Sequence, residues 1–361
     1  MKKIRTTLKF VVLLGLSILL ISCETVSYYS QAARGQLEIL TSREGIQGLL
    51  QDPQLPVELR EQFELVLQIR EFAALELQLP VADNYSTYVD LGREHVVWNV
   101  FAAPEFSTQA VNWCYPIAGC VSYRGYFSES SAEAYARKLE QEGFDVYTGG
   151  VDAYSTLGWF DDSLLSSVVN RSAHQLAGLI FHELAHLVVF APGDTTFNES
   201  FATAVEREGI RRWARARGEQ QLYLDSEQNL ARQAEFVALV SQWRDQFDVL
   251  YSSDTSETEM REQKQGLQQT LRVAYEDLKE SWSGYDGYDA WFARELNNAQ
   301  LSTVASYNDL VPAFDRLLQQ LKGDLGQFYR RVQELAELPV DEREQQLPNP
   351  NLLARETAFQ I

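Results

Sequence analysis

The 361-residue chain carries 31 Lys and Arg against 51 Asp and Glu, a formal net charge of −20, with 45% hydrophobic and 12% aromatic residues. That length and composition fit one large or two closely packed folded domains rather than a disordered chain. The acidic balance argues against a nucleic-acid partner, which needs a basic surface, and against electrostatic docking on anionic lipid.

Residues 1–22 read as an export signal. Lys2, Lys3, Arg5 and Lys9 make a basic start, and Phe10 to Ile21 form an apolar run broken only by Gly15 and Ser17. The run is short for a membrane span and suits the apolar part of a signal peptide. It ends in Leu20-Ile21-Ser22-Cys23. This resembles the lipobox of bacterial lipoproteins, in which the cysteine is acylated and becomes the first mature residue. The resemblance implies a lipid anchor at Cys23 that holds the protein to a membrane, facing the periplasm, with no spanning helix required. The outer membrane is the expected destination, and an ordinary secretory signal is the alternative. Loss of the four basic residues would take the net charge to −24.

Apolar residues at spacings of three and four predict helices in "QAARGQLEILTSREGIQGLL" and "PVELREQFELVLQIREFAALEL", so 23–80 forms an N-terminal helical segment. From about residue 85 the pattern turns to Val, Tyr, Phe and Trp with partial alternation, which predicts strands in "YSTYVDLGREHVVWNVFAAP", "GCVSYRGYF" and "DVYTGGVDAYSTLGWF". "SAEAYARKLEQEGF" reads as a helix between them. Cys114 and Cys120 have five residues between them across a Pro/Gly turn. In an exported chain such a lone pair predicts a disulfide, and no neighbouring His or second Cys pair favours a metal there. Two further helices are expected over 164–191 and 198–217, separated by "APGDTT", and the remainder reads as mainly helical with a Ser/Thr-rich loop at 252–258. The expected class is therefore α+β: a small mixed or antiparallel sheet of four or five strands in a core over 81–217, and a helical lobe over 218–361.

The chemistry concentrates in "FHELAHLVVFAPGDTTFNESFATAVE". On a helix His182 and His186 share a face, so both imidazoles can reach one ion, and Glu183 lies beside them where a general base would stand. The surrounding run is strongly apolar, which makes His and Glu costly there unless they are used. The alternative is a pair of hydrogen-bonded core histidines. A catalytic Zn²⁺ needs a third protein ligand and an open position. Glu199 and Glu206 compete for that place, since seven residues is close to two helical turns.

"HELAH" followed by "NESFATAVE" resembles the gluzincin metallopeptidases, above all the M1-type aminopeptidases, which carry HExxH and then NEGFAxxxE. The resemblance implies a zincin-like arrangement with the HExxH helix between the lobes, and Glu199 as third ligand. It implies Glu206 as the carboxylate supporting a ligand from behind. Asn198 matches the family's Asn, as a helix cap or a hydrogen-bonding neighbour of the site. "GCVSYRGYF", "STLGWFDD", "HELAH", "NESFA" and "ELNNAQL" together resemble a family of bacterial lipoproteins described as predicted aminopeptidases, over most of the mature chain. Two features depart from the M1 pattern: the His186 to Glu199 segment is 13 residues, shorter than in that family, and GAMEN is absent.

In gluzincins an edge strand upstream of HExxH pairs with extended substrate. "AYSTLGWF" is the candidate here, with Gly158 allowing close approach of a peptide. Asp161 or Asp162 is placed to receive a free α-amine, or to cap the following helix. Family members draw an oxyanion donor from the C-terminal lobe; Tyr307 is the candidate, with Tyr285 and Tyr288 behind it. His95 reads as structural, and His174 as a surface residue or a neighbour of the site. Arg124 reads as a carboxylate binder or a brace. The implied function is a peptidase using one Zn²⁺ per chain, held by His182, His186 and Glu199. It would act as an aminopeptidase on peptides, with Glu183 as base. An endopeptidase of the cell envelope and a non-catalytic protein-binding lipoprotein are the alternatives.

Overall fold

The computed structural model describes residues 25–115, 119–153, 160–304 and 310–347. The signal segment, Cys23, Gly158 and Tyr307 lie outside the described residues. No described helix is long and apolar enough to cross a membrane. The fold is α+β, mostly helical with small sheets, as the sequence pattern predicts.

The N-terminal segment forms helix α1 (residues 25–41), strand β1 (Glu44–Gly45) and helices α2 (Ile46–Leu49) and α3 (Val57–Leu75). Pro56 sits at the start of α3, where a missing N–H costs nothing, and Glu58 occupies the first turn. Phe63, Val66, Ile69 and Ala73 fall on one face of α3 and are fully buried.

Strands β2 (Thr87–Val89) and β3 (Val97–Pro104) follow, then β4 (Trp113–Tyr115), β5 (Gly119–Val121) and β6 (Arg124–Tyr126). Helix α4 (Glu129–Gln141), strands β7 (Phe144–Val151) and β8 (Leu164–Leu165), and a single turn α5 (Ser166–Val169) complete this part. Among the described residues there are three sheets in place of the expected single one: β1-β2-β8, β6-β3-β7 and the hairpin β4-β5. Strands two or three residues long carry too few side chains for alternation to show. In the central sheet β3 pairs antiparallel with β7, from Val97↔Val151 to Pro104↔Phe144. Trp98, Val100 and Ala102 alternate onto the face covered by Ala132, Ala136 and Leu139 of α4. Cys114 and Cys120 stand opposite each other in the hairpin and are joined by a disulfide, as expected. In the first sheet β2 and β8 run parallel, with Tyr88 against Leu164, which brings the residues before β8 alongside the loop before β2.

Helices α6 (Ala173–His186), α7 (Thr195–Arg217), α8 (Gln220–Tyr251) and α9 (Glu257–Ser281) form the helical body, with short α10 (Asp289–Phe292) and α11 (Asn298–Ser302). They are followed by α12 (Val311–Gln320), α13 (Leu325–Ala336) and α14 (Val340–Gln346). The helix expected from residue 164 begins only at Ala173, because Leu164–Leu165 is used as a strand and Ser172 opens α6, its N–H bonded to Gln175 Oε1. The next helix begins before residue 198, because the Asp194 carboxylate caps it by accepting from Phe197 N–H at 2.9 Å. Gly218, at φ 69°, ends it in the left-handed conformation typical of helix C-termini.

The main core joins α3, β2, α6, α7, α12 and α13. A second, aromatic-rich core lies between α8, α9 and α10, and a third between the central sheet and α4. Buried Lys264 of α9 joins the helices to the sheet, bonding Asp145 at 2.6 Å and the Glu105 carbonyl at 2.8 Å. Asp145 also accepts from the backbone N–H of Asn298 in α11. Lys264 and Asp145 are thus both paired, as burial demands.

Candidate metal centre

Helix α6 is buried nearly all round: Leu176, Ala177, Gly178, Ile180, Phe181, Leu184 and Ala185 are in the core. Beyond its first turn, only the stripe through Leu179, His182, Glu183 and His186 is less than fully buried, at the i, i+3, i+4 and i+7 spacing of one helical face. On α7, Glu199 and Glu206 likewise share one face, and α7 packs that face against α6. Two glycines permit the approach. A Cβ on Gly178 would stand 2.9 Å from Glu206 Oε1, and one on Gly209 would stand 2.6 Å from the Phe181 ring. Both are tighter than side chains tolerate, so the helix seam has no room for an alanine without displacement.

The packing brings His182, His186 and Glu199 together, with one ligand atom from each lying within 4.8 Å of the others. His182 Nε2 is 3.2 Å from Glu199 Oε2, and His186 Nε2 is 3.6 Å from Glu199 Oε1. Two ligand atoms held about 2.1 Å from a tetrahedral ion stand roughly 3.4 Å apart, so both separations fit a shared zinc-sized ion. Hydrogen bonding explains the first distance but not the second. His186 Nδ1 is buried and has no hydrogen-bond partner among the described residues. His186 is therefore not a core histidine satisfied at both ring nitrogens. Behind the cluster, Glu206 Oε2 lies 3.1 Å from His182 Nδ1. This is the carboxylate–imidazole pairing that fixes a ligating histidine's tautomer and orientation.

Asn198 does not cap α7. Its side chain is buried, with Oδ1 accepting from the Ala191 N–H at 2.7 Å and Nδ2 donating to the Ala191 carbonyl at 2.9 Å. It clamps the loop that leaves α6 to the start of α7, one residue before Glu199. The cap itself is braced from the C-terminus. The second oxygen of Asp194 pairs with buried Arg343 of α14, which also lies over the Phe197 ring, 4.7 Å from its centroid.

Electrostatically the cluster is a histidine pair among carboxylates. Burial alone would lower the His182 pKa, but hydrogen bonds to Glu199 and Glu206 outweigh it and push it up to about 10. Burial, reinforced by charged His182, lowers the His186 pKa and leaves that ring neutral. Glu199 is also held below its ordinary value: burial opposes, but the His182 hydrogen bond and the two histidines prevail. Glu183 is raised to about 7, chiefly by burial, with Asp162, Glu199 and Glu206 adding and His182 opposing. A carboxyl poised near neutral beside two imidazoles can both take and return a proton.

Asp162 is therefore a charged neighbour of Glu183, whereas Asp161 is exposed and offers its backbone carbonyl to Arg43. Tyr85, in the loop before β2, is a further neighbour that sequence pattern does not reveal. Its phenol pKa is raised well above the ordinary value by burial, with the charges of Glu183 and Asp162 adding. Tyr285 and Tyr288 are instead packed in the second core, where Tyr288 stacks on Phe236 at 4.2 Å. Arg124 braces the fold between the rings of Tyr28 and Tyr135, 4.1 and 4.7 Å from their centroids. His95 pairs with Asp152 at 2.6 Å, and Asp152 with Arg171 at 3.1 Å, a tie between the end of β7 and the start of α6. His174 lies 3.1 Å from Ser172 Oγ at the start of α6.

No curated protein and no solved structure matches the chain. The family model described as "Putative aminopeptidase" matches residues 27–347, nearly the whole described structure, and the chain belongs to that family.

Proposed function

We propose that this protein is a zinc-dependent aminopeptidase of zincin-like arrangement. The observation that carries the proposal is the convergence of His182, His186 and Glu199 beside a Glu183 carboxyl raised to about 7. His182 Nε2, His186 Nε2 and one Glu199 oxygen would hold the ion, one per chain, leaving a position open. A zinc ion there supplies Lewis acidity, polarising a carbonyl and acidifying water. Glu183 takes the proton of the attacking water and returns it to the leaving amine as the C–N bond breaks. Glu206, 3.1 Å from His182 Nδ1, accepts that N–H and would leave Nε2 free to hold the ion.

The exopeptidase reading draws support from charge. Glu183, Asp162, Glu199 and Glu206 make the surroundings of the cluster acidic, which suits the α-ammonium of a free peptide N-terminus. Asp162 is assigned as the anchor for that ammonium in preference to exposed Asp161. Attachment to the membrane through an acylated Cys23, on the periplasmic side and in the outer membrane, is proposed from the N-terminal sequence. The metal assignment is tested by metal analysis of the purified chain and its variants. The wild type should hold about one zinc, as a three-ligand site with one open position predicts. Glu199→Ala should lose it; full zinc in that variant would transfer the ligand role to Glu206.

A further inference from the structure

Helix α1 carries apolar side chains on two opposite faces, and one of them is covered by the fold. On that face Tyr28 stacks on Tyr115 of the disulfide hairpin, with 5.6 Å between ring centroids, and meets Tyr126 of β6 edge-on at 5.6 Å. Gln31 holds the backbone at the end of β6: its Nε2 donates to the Gly125 carbonyl at 3.3 Å, and its Oε1 accepts from the Phe127 N–H at 3.0 Å. Gly35 lies against the Phe127 ring, where an added Cβ would stand 2.1 Å from it, and Ile39 is in the main core. Tyr28, Gln31, Gly35 and Ile39 follow the three- and four-residue spacing of one helical face. Helix α1 is thus fastened to the sheet and the hairpin.

The opposite face is apolar and open. Val26, Tyr29 and Leu37 are 61%, 44% and 59% exposed, and Ala33 between them is exposed as well. Spacings of three, four and four residues place these side chains in one stripe, roughly 16 Å long at the rise of a helix. Ser30 is the polar residue on it, and the charged Arg34 and Glu38 fall to its flank. Elsewhere such exposure is scattered: α3 exposes Val57 and Leu75, and α8 exposes Leu224 and Val249, in each case near opposite ends of the helix. Single exposed apolar residues are ordinary, whereas a contiguous row marks a contact surface.

What the row contacts follows from what precedes it in the chain. Helix α1 begins at residue 25, so Glu24 alone separates it from Cys23. Two residues of chain span at most about 7 Å. Acyl groups on Cys23 would therefore hold the first turn of α1, with Val26 and Tyr29, at the level of the lipid headgroups. An apolar helical face at that level seats roughly 5–10 Å into the interface, and a tyrosine suits its polar boundary. The net charge of −20 opposes attraction to anionic lipid, and an uncharged stripe needs none. We propose that the Val26, Tyr29, Ala33 and Leu37 face of α1 lies on the bilayer that anchors the chain, so that α1 sets the orientation of the folded body over the membrane. The surface rests on the Cys23 anchor proposed above.

The test uses the full mature chain, purified from membranes and reconstituted in phosphatidylcholine vesicles. Leu37→Cys carries an environment-sensitive fluorophore; with Cys114 and Cys120 joined and Cys23 acylated, it is the one free thiol. Val249→Cys, exposed on α8, is the comparison. Phospholipids bearing a quencher on the acyl chain should quench the Leu37 probe several-fold more than the Val249 probe. Adding Val26→Glu and Ala33→Glu should abolish that difference with the thermal midpoint unchanged. Equal quenching at the two positions of an acylated chain overturns the surface. So does quenching at Leu37 that survives the two glutamates, because the tether alone then explains it. A Leu37 probe shielded from water only as protein concentration rises marks a second copy on the stripe and overturns it as well. A mature chain whose mass shows no acyl groups overturns the anchor and this surface together.

Discussion

Glu206 sits 3.1 Å behind His182 because Gly178, four residues before that histidine, has no side chain to exclude it. The His182 face of α6 and the packing face of α7 are therefore one feature. Glu206→Ala should weaken zinc binding about 10- to 100-fold while leaving the ligands in place. Gly178→Ala should weaken it in the same direction by pushing the carboxylate away. Competition with a chelator of known affinity reads both, and unaltered zinc affinity in Glu206→Ala would remove its supporting role.

In the metal-free protein His182 has a carboxylate at each ring nitrogen and a pKa pushed up to about 10, so it is an imidazolium at neutral pH. His186 is already neutral. Zinc binding at pH 7 should then release about one proton per chain, from His182, and apparent affinity should climb about tenfold per pH unit up to pH ~10. The sign for folding follows from the same shift. A raised pKa means the His182 ion pairs stabilise the metal-free chain fully below the unfolded value of about 6.5, and that contribution is lost as pH rises through about 10. Calorimetry in buffers of differing ionisation heat measures the proton count; zero protons released would show that His182 is neutral before binding.

Arg343 and Asp194 form a largely buried pair, their side chains 7% and 16% exposed. Arg343→Met should destabilise the fold by roughly 3 kcal/mol, because it strands a buried carboxylate that also caps α7. Urea unfolding of the metal-free variant reads the change, and a cost below about 1 kcal/mol would mean that the C-terminal helix does not brace α7.

If Asp162 receives the α-ammonium, Asp162→Asn should raise KM for free-amine peptides by one to two orders of magnitude, as expected for losing a charged partner in a buried site. N-acetylated peptides should be poor substrates for both proteins. Equal KM values in variant and wild type would remove Asp162 from substrate binding.

The sequence made the histidine–carboxylate cluster legible because it lies on two helices, where i, i+4 and i, i+7 spacings determine which side chains share a face. His182, Glu183 and His186 needed no more than that, whereas spacing left Glu199 and Glu206 as alternatives and only the family resemblance separated them. Gly178 left a trace, an isolated glycine inside an apolar helical run, which signals close approach. Tyr85 left none: it lies in a loop, in a left-handed conformation that no periodicity encodes. Asn198 was legible as a site residue, but its partner, the backbone of Ala191, was not. The short strands fell below the length at which alternation can be read.

The most direct measurement compares the zinc-loaded chain from Glu24 onward with Glu183→Gln on a peptide mixture, with products read by mass spectrometry. Stepwise loss of N-terminal residues by the wild type alone, with equal zinc in both proteins, is the predicted result. Cleavage by Glu183→Gln at the wild-type rate, or no cleavage by a zinc-bound wild type, would contradict it.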